Sequence, residues 1–206
     1  MNNTNLAYAY ESEERRRNDW EVSWTGGYRE ELIGGKVFSM SPASCNHAII
    51  AGNIFNIFSN FLKGKPCLAF ADNCMLHLTK EDHFIPDMMV VCDRSKIKKN
   101  WVEGAPDLVV EVLSPSTAKN DLFHKRKVYS QCGVREYWIV SPHELTIQQY
   151  LPEDGELHLA DVYAGYTPED WEIMNERERA SMRPSFRCSL FNDLEIRLED
   201  VFANVL

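Results

Sequence analysis

Apolar positions along the chain predict two long helices. In the segment 44–63, one stripe at helical spacing contains positions 47, 50, 54, 57, 58 and 61. Gly64 and Pro66 are residue types that end a helix, so we expect the first helix to stop there. A second helix is predicted over 118–132, because capping residues precede it and Gly133 follows it.

Short apolar runs between turn residues predict the strands. Gly34-Gly35 inside the segment 28–40 predicts a hairpin. The run 106–114 is apolar nearly throughout, which is typical of a central strand covered on both faces. Further strands are predicted at 66–78, 84–93, 134–142, 145–151 and 156–163, and a charged helix over 168–182 precedes a closing strand pair. This order indicates an α/β or α+β fold around a buried sheet.

Length and composition favour one domain. The chain has 206 residues, of which 44% are hydrophobic, enough for one packed core. We expect a helical extension at 1–20 and the domain at 21–206. Residues 1–20 lack the apolar segment of a secretory signal, and no apolar run reaches the roughly 18 residues of a membrane helix. The sequence therefore predicts a cytoplasmic protein without a membrane partner, with its six cysteines as free thiols.

Two acidic residues interrupt the most apolar predicted strands. Asp87 lies in FIPDMMVV and Glu111 lies in DLVVEVL. An ionised carboxylate in a buried strand is costly unless it is paired or bound to a metal. If both side chains face the same way, they would bind a hard divalent ion such as Mg²⁺. Alternatively, one or both lie at a strand end and face water.

Lys125 falls on the apolar face of the second predicted helix, among Leu122, Val128 and Tyr129 when the segment is projected at 100° per residue. Its ammonium could reach the carboxylates, or stabilise charge that develops at a scissile phosphate. Alternatively, its stem packs against the core while its charged end reaches solvent.

The central segment resembles a known nuclease family. The residues PDLVVEVLSPST, then Asp121, Lys125 and Tyr129 at four-residue spacing, then GVREYWIV are similar to the family of putative restriction endonucleases in the PD-(D/E)xK superfamily. The resemblance covers roughly residues 20–206. It implies a restriction-endonuclease-like fold, with a mixed central β-sheet flanked by helices, and Mg²⁺- or Mn²⁺-dependent hydrolysis of phosphodiester bonds, with DNA as the expected substrate.

By this resemblance Asp87 and Glu111 are metal ligands, and together with Lys125 they are the catalytic residues. The superfamily's plain form has its lysine two residues after the acid, where this chain has Leu113, so Lys125 replaces it. Two further residues are candidates. Glu31 either supplies another acid near the metal or is a surface strand residue, and His47 either orients a water or phosphate or is a hydrogen-bonded core histidine.

Overall charge opposes a protein that coats nucleic acid with its whole surface, because the net charge is −9. Residues 93–135 nevertheless hold nine basic against five acidic side chains, and the run 95–99 could meet a nucleic-acid backbone or remain a solvated loop. The acidity and the displaced lysine leave a second hypothesis open: a non-catalytic dimeric nucleic-acid-binding or regulatory module. A homodimer is plausible in either case, since a duplex has two strands to cut.

Overall fold

The computed structural model describes residues 29–206, so the predicted extension at 1–20 lies outside the described part. In this part the strands form a six-stranded sheet, ordered β11-β10-β9-β8-β6-β3, a five-stranded sheet, ordered β2-β1-β5-β4-β7, and a two-stranded pair, β12-β13. In chain order the strands are β1 (Glu30–Ile33), β2 (Lys36–Ser39), β3 (Leu68–Ala71), β4 (Met75–His77), β5 (His83–Phe84), β6 (Met88–Val91), β7 (Trp101–Glu103), β8 (Leu108–Val112), β9 (Glu136–Ser141), β10 (Thr146–Glu153), β11 (Glu156–Ala164), β12 (Ser185–Arg187) and β13 (Glu195–Arg197).

Helices flank these sheets, which confirms the expected mixed α+β class. They are α1 (Cys45–Phe61), a π-helical segment (Asn120–Lys125) that continues into α2 (Arg126–Cys132), α3 (Pro168–Ile173), α4 (Glu176–Ser181) and α5 (Leu198–Val201). Within residues 29–206, no helix has the length and apolar character needed to cross a bilayer.

The centre of the large sheet is buried on both faces, as the apolar run in β8 predicts. Leu108, Val110 and Val112 pack in the cluster that contains the buried face of α1. Val109 belongs to the opposite cluster, with side chains of α2. Because successive side chains of a strand point to opposite faces, Glu111 shares the α2 side with Val109. Each fully buried apolar side chain of this kind stabilises the fold by about 1.5–3 kcal/mol relative to exposure.

Several elements differ from the predictions. The predicted strand 84–93 is divided between β5 in the five-stranded sheet and β6 in the six-stranded sheet. The single run 66–78 forms two strands, β3 and β4, in different sheets, and Asn73 with a φ of 81° lies at the break. In chain order, strand β7 follows β6 and precedes β8, in a segment where only a loop was expected. The charged segment 168–182 forms two short helices, α3 and α4, each begun by its own capping box. Two local N-terminal caps therefore outweigh the continuous helical pattern.

The prediction that all six cysteines are free thiols is wrong for two of them. Strand β3 pairs with β6 so that Leu68 lies opposite Val91. The next residues, Cys67 and Cys92, consequently lie side by side and form a disulfide. Their separation of 25 residues carries no sequence signal, because the contact depends on the register of a strand pair that only the fold creates.

The last strands are attached to the large sheet through Glu136, a fully buried carboxylate in β9. Its oxygens accept hydrogen bonds from Trp138 and Gln149 within the sheet, both at 2.6 Å. They also accept the Ser189 backbone N–H at 2.8 Å and the Ser189 hydroxyl at 2.5 Å. These hydrogen bonds join β9 and β10 to the segment after β12 and fix the position of that segment.

Asp82 connects the first hairpin to the π-helical segment. Gly34 and Gly35 both have positive φ in the turn between β1 and β2, which confirms the predicted hairpin. The Asp82 carboxylate accepts the Gly34 N–H at 2.9 Å and the Thr79 hydroxyl at 2.9 Å, and it lies 2.8 Å from His124 Nε2. One side chain therefore positions both the hairpin that carries Glu31 and the π-helical segment that carries Asp121 and Lys125.

We expect Asp82→Asn to lower the free energy of unfolding at pH 7 by about 1–2 kcal/mol, since it removes charge-assisted hydrogen bonds. Burial raises the pKa of Asp82, but the hydrogen bonds from His124, Gly34 and Thr79 outweigh it and hold that pKa below its ordinary value. A lowered folded-state pKa contributes stability at neutral pH that is lost as the pH falls through it. The difference from wild type should therefore shrink below about pH 4.

Urea denaturation at pH 7 and pH 3 measures this difference. The exposed Glu153→Gln is the matched control and should leave the midpoint unchanged at both pH values. A deficit for Asp82→Asn that is equally large at pH 3 would contradict the electrostatic explanation.

Candidate active site

Asp87 and Glu111 lie on neighbouring antiparallel strands, and both side chains are buried. Asp87 immediately precedes β6, whose Met88 pairs with Val110 in β8. The Asp87 Oδ2 atom accepts the backbone N–H of Val112 at 2.7 Å, so the two acids are held next to each other across one strand pair. Both line the same cavity of about 530 Å³.

Lys125 places its ammonium among three carboxylates. The Nζ atom lies 2.9 Å from Glu31 Oε1, 3.1 Å from Glu111 Oε1 and 3.2 Å from Asp121 Oδ1. The side chain is only 2% exposed, so it does not extend to solvent. Burial lowers the pKa of Lys125, but the charges of the three acids outweigh burial and raise it well above the ordinary value. The ammonium therefore stays charged.

Glu31 is buried in β1 and is not a surface strand residue. Its Oε1 atom accepts the backbone N–H of Ile85 at 2.8 Å in addition to its contact with Lys125. The five-stranded sheet therefore supplies the Glu31 carboxylate, whereas Glu111 lies in the six-stranded sheet.

His47 lies in the first turn of α1, where Ser44 caps the helix. Its Nε2 atom is 3.2 Å from Asp87 Oδ2, and its side chain is 12% exposed at the cavity wall. Burial lowers the pKa of His47, but the hydrogen bond to Asp87 and the Asp87 charge raise it above the ordinary value. The structure brings His47 to the acid pair and does not leave it in the apolar core.

Asp121 and Tyr129 belong to the same cluster, although neither was predicted from the sequence to be a site residue. The Tyr129 hydroxyl donates to Glu111 Oε1 at 2.7 Å. Asp121 is held by the π-helical segment one turn before Lys125. The signal that could have found both is the spacing of Asp121, Lys125 and Tyr129, four residues apart, because residues at i and i+4 share one helix face.

The π-helical turn itself has no sequence signal. Asp121 and Lys125 lie on one face of this segment whether it is α-helical or π-helical. Hydrophobic spacing therefore cannot distinguish the two helix types. Single π-helical turns inside α-helices occur frequently at functional sites.

The cluster holds more negative than positive charge. Four buried carboxylates, Glu31, Asp87, Glu111 and Asp121, face one lysine and one histidine. Burial raises the pKa of Glu111 well above its ordinary value; Lys125 lowers it, and the charges of Asp121, Asp87 and Glu31 raise it further. An excess of buried carboxylates is costly without an additional cation.

One oxygen of this cluster lacks a hydrogen bond. Among buried side-chain nitrogen and oxygen atoms in residues 29–206, Asp121 Oδ1 is the one without such a partner, although Lys125 Nζ lies 3.2 Å away. Burial raises the pKa of Asp121, and Lys125 opposes that shift. The largest contribution that stabilises this carboxylate is therefore the charge of Lys125.

These donors suit a hard divalent cation. The acid pair offers carboxylate oxygens, and Mg²⁺ and Mn²⁺ prefer oxygen ligands. Within the described part of the chain, no group of three or more Asp, Glu, His or Cys side chains is placed so that it could hold a metal ion. A divalent ion would therefore use one or two protein carboxylates, Asp87 and Glu111, with water and phosphate oxygens as its other ligands, which is the usual pattern for Mg²⁺.

A family model and two relatives match more than half of this chain. A family model described as "Uma2: Putative restriction endonuclease" matches residues 19–178. The uncharacterized protein slr1290 of Synechocystis sp. is 29% identical over 157 residues, covering 75% of this chain and 76% of that protein. A second uncharacterized Synechocystis protein, sll1609, is 25% identical over 126 residues, covering 59% of this chain and 71% of that protein.

A solved structure shares the fold. The crystal structure of a putative nuclease belonging to DUF820 from Anabaena variabilis ATCC 29413 matches with a TM-score of 0.64 at 19% identity. The match covers 86% of this chain and 91% of that one. The common architecture therefore extends over nearly the whole described region.

We expect Lys125→Met to lower the free energy of unfolding by about 3–5 kcal/mol, because it leaves three buried carboxylates without their common counter-charge. The exposed Lys127→Met, two positions along the same helix, is the matched control and should change it by less than about 0.5 kcal/mol. Chemical denaturation at pH 8 measures both. If the two variants were equally stable, the ammonium would not be what holds the carboxylates together.

Proposed function

Because the chain belongs to the Uma2 family of restriction-endonuclease-like proteins, we propose that it is a metal-dependent endonuclease that hydrolyses phosphodiester bonds, with DNA as its substrate. The observation that carries the proposal is a cluster of four buried carboxylates, three of which line one cavity, with too few cations to balance them. A divalent ion supplies the missing charge, and the cavity is open to a phosphate group.

In this proposal Asp87 and Glu111 hold Mg²⁺ or Mn²⁺. The bound ion would polarise the scissile phosphate and lower the pKa of a water molecule. The chain's own hydrogen bonds use Asp87 Oδ2 and Glu111 Oε1. The second oxygen of each carboxylate takes part in none of those bonds, which is consistent with a role as ligand.

The remaining residues position these two acids. The Val112 N–H and His47 fix Asp87, while Tyr129 and Lys125 fix Glu111. Since three carboxylates surround the Lys125 ammonium, we assign this lysine first to holding Glu111 and neutralising the cluster. Ligands oriented before a substrate arrives reduce the reorganisation required in the transition state.

One observation favours a second candidate, a nucleic-acid-binding or regulatory module without cleavage. Leu113 occupies the position of the superfamily's strand lysine, and the Lys125 ammonium is ion-paired with carboxylates. Such a module would keep the metal and nucleic-acid contacts but lack turnover. The homodimer expected from the sequence stays a prediction for either function.

We expect Mg²⁺ or Mn²⁺ to support nicking of supercoiled DNA, and Asp87→Asn and Glu111→Gln each to reduce the rate at least about a hundredfold, since each variant removes a charged ligand. Calorimetry should show metal affinity lowered by more than about tenfold in both variants, in the range expected from a lost ligand charge.

Asp154→Asn is the matched control, because Asp154 lies in an exposed turn with a φ of 50°, where Asn is well tolerated. Metal binding without cleavage of any DNA or RNA would favour the regulatory module. Absence of metal binding even with nucleic acid present would make both carboxylates structural, and the nuclease proposal would fail.

A further inference from the structure

Arg29 lies at the wall of the cavity that contains the acid pair. It immediately precedes β1, and its carbonyl oxygen accepts the Met40 backbone N–H at 2.7 Å, which continues the pairing of β1 with β2 by one residue. Alternate residues of a strand point to the same face, so Arg29 lies on the same face of the five-stranded sheet as Glu31. The strand that supplies one acid to the cluster therefore also supplies a cation to the cavity.

The turn between β3 and β4 holds the Arg29 guanidinium. The Nη1 atom donates to Asp72 Oδ1 at 2.5 Å and to Asn73 Oδ1 at 3.1 Å. The same Asp72 oxygen accepts the Asn73 backbone N–H at 2.8 Å, which fixes the carboxylate. These contacts orient the arginine before any substrate enters, so less side-chain entropy is lost when a ligand binds.

Part of the guanidinium is left for another ligand. An arginine side chain carries five N–H donors, and both hydrogen bonds of Arg29 within residues 29–206 use Nη1. The Nε and Nη2 groups take part in neither bond, and the side chain is 21% exposed. Two adjacent N–H groups of a guanidinium match two oxygens of a phosphate group. Arg29 can thus keep its pair with Asp72 while it binds a phosphate.

The charges around the cavity make such a cation necessary. Three carboxylates line it, those of Asp87, Glu111 and Asp121, and each repels a phosphate. Among its lining residues in the described part of the chain, Arg29 and Lys125 are the two that are Lys or Arg. Lys125 is only 2% exposed and is ion-paired with three carboxylates, whereas Arg29 has one acidic partner. Arg29 is therefore the cation better placed to offset the charge of an entering phosphate.

The Arg29–Asp72 pair also has a purely structural explanation, because it joins the first hairpin to the β3–β4 turn. A comparable pair lies outside the cavity, where Arg183 joins the segment before β12 to Asp161 in β11. The two explanations differ in what they require of Asp72. A structural role needs the ion pair itself, whereas a phosphate contact needs only the guanidinium.

We propose that Arg29 binds a phosphate of the nucleic-acid backbone through its Nε and Nη2 groups and thereby positions the strand at the acid pair. Asp72 orients the guanidinium, and the arginine supplies the positive charge that the cavity's carboxylates lack. The planar fork adds geometric selection to the charge, which a lysine does not. The inference rests on the proposed function, because it assigns a substrate-binding residue to the same cavity.

Fluorescence anisotropy with a short labelled DNA duplex in EDTA measures this contact without any cleavage. Arg29→Gln should bind the duplex about tenfold more weakly, which corresponds to one lost charge-assisted hydrogen bond. It should also lower the slope of log affinity against log salt by about 0.9, the value for one phosphate contact on B-DNA. An unchanged slope would overturn the inference.

Asp72→Asn separates phosphate binding from a structural role. It breaks the ion pair as Arg29→Gln does, but it keeps a side-chain oxygen for the two donors and removes a negative charge. It should therefore bind the duplex at least as tightly as the wild type. A loss as large as that of Arg29→Gln would overturn the inference, because the guanidinium would then act only through its ion pair. Since Asp72→Asn retains the arginine, it tests the contact even if Arg29→Gln is unstable.

Arg183→Gln is the matched control, because it breaks an Arg–Asp pair outside the cavity. It should leave both the affinity and the salt slope unchanged. A slope lowered equally in Arg183→Gln and Arg29→Gln would show a general effect of net charge and would count against a specific contact at Arg29.

The anisotropy and nicking assays separate the two proposals. Nicking of subsaturating DNA by Arg29→Gln at the wild-type rate would remove the phosphate contact and leave the nuclease. A salt slope lowered in Arg29→Gln, in a protein that never nicks DNA, would leave the phosphate contact and remove the nuclease.

Discussion

The ion pairs of the Lys125 ammonium are the interaction on which the rest of the site depends. They join a carboxylate from the small sheet, one from the large sheet and one from the π-helical turn at a single point. Moving these charges out of water costs several kcal/mol per ion. Their mutual attraction offsets this cost only if the distances and angles between all of them are favourable. The cluster therefore ties the two sheets and the π-helical turn together at one point.

Backbone donors complete this arrangement. The Ile85 N–H holds Glu31 and the Val112 N–H holds Asp87, and both donors lie next to strands of the sheets that carry the acids. A side chain fixed by its neighbour's main chain cannot move unless the strand moves. The positions of the acids are thus set by the sheets before any ligand binds, which is the condition for an efficient electrostatic site.

Much of the fold follows from the sequence pattern because its signals are local. Gly34-Gly35 determines the first hairpin, the stripe along α1 determines its buried face, and the apolar run of β8 determines its central place. The proximity of Asp87, Glu111 and Lys125 could also be anticipated, since each is a charged residue in an apolar context. Their catalytic and metal-binding roles stay predictions.

Features that require tertiary contacts could not be anticipated. The pairing of Cys67 with Cys92 depends on the register of β3 against β6. Glu31 joins the acid cluster only through the packing of β1. The roles of Asp121 and Tyr129 become apparent only from their contacts with Lys125 and Glu111. An aromatic stack of His77, His83 and Trp101 arises from strands as short as two residues, which leave little periodic signal.

The buried carboxylate of Glu136 gives the chain a folding boundary that differs from its family boundary. The family match ends at residue 178, yet Ser189 lies beyond it and supplies two of the donors to Glu136. Phe186 and Ile196 add to the same core as α1. A fragment cut at residue 178 would contain every acid of the candidate site but would leave the buried Glu136 carboxyl group without these donors. Stable folding therefore requires residues beyond the extent of family similarity.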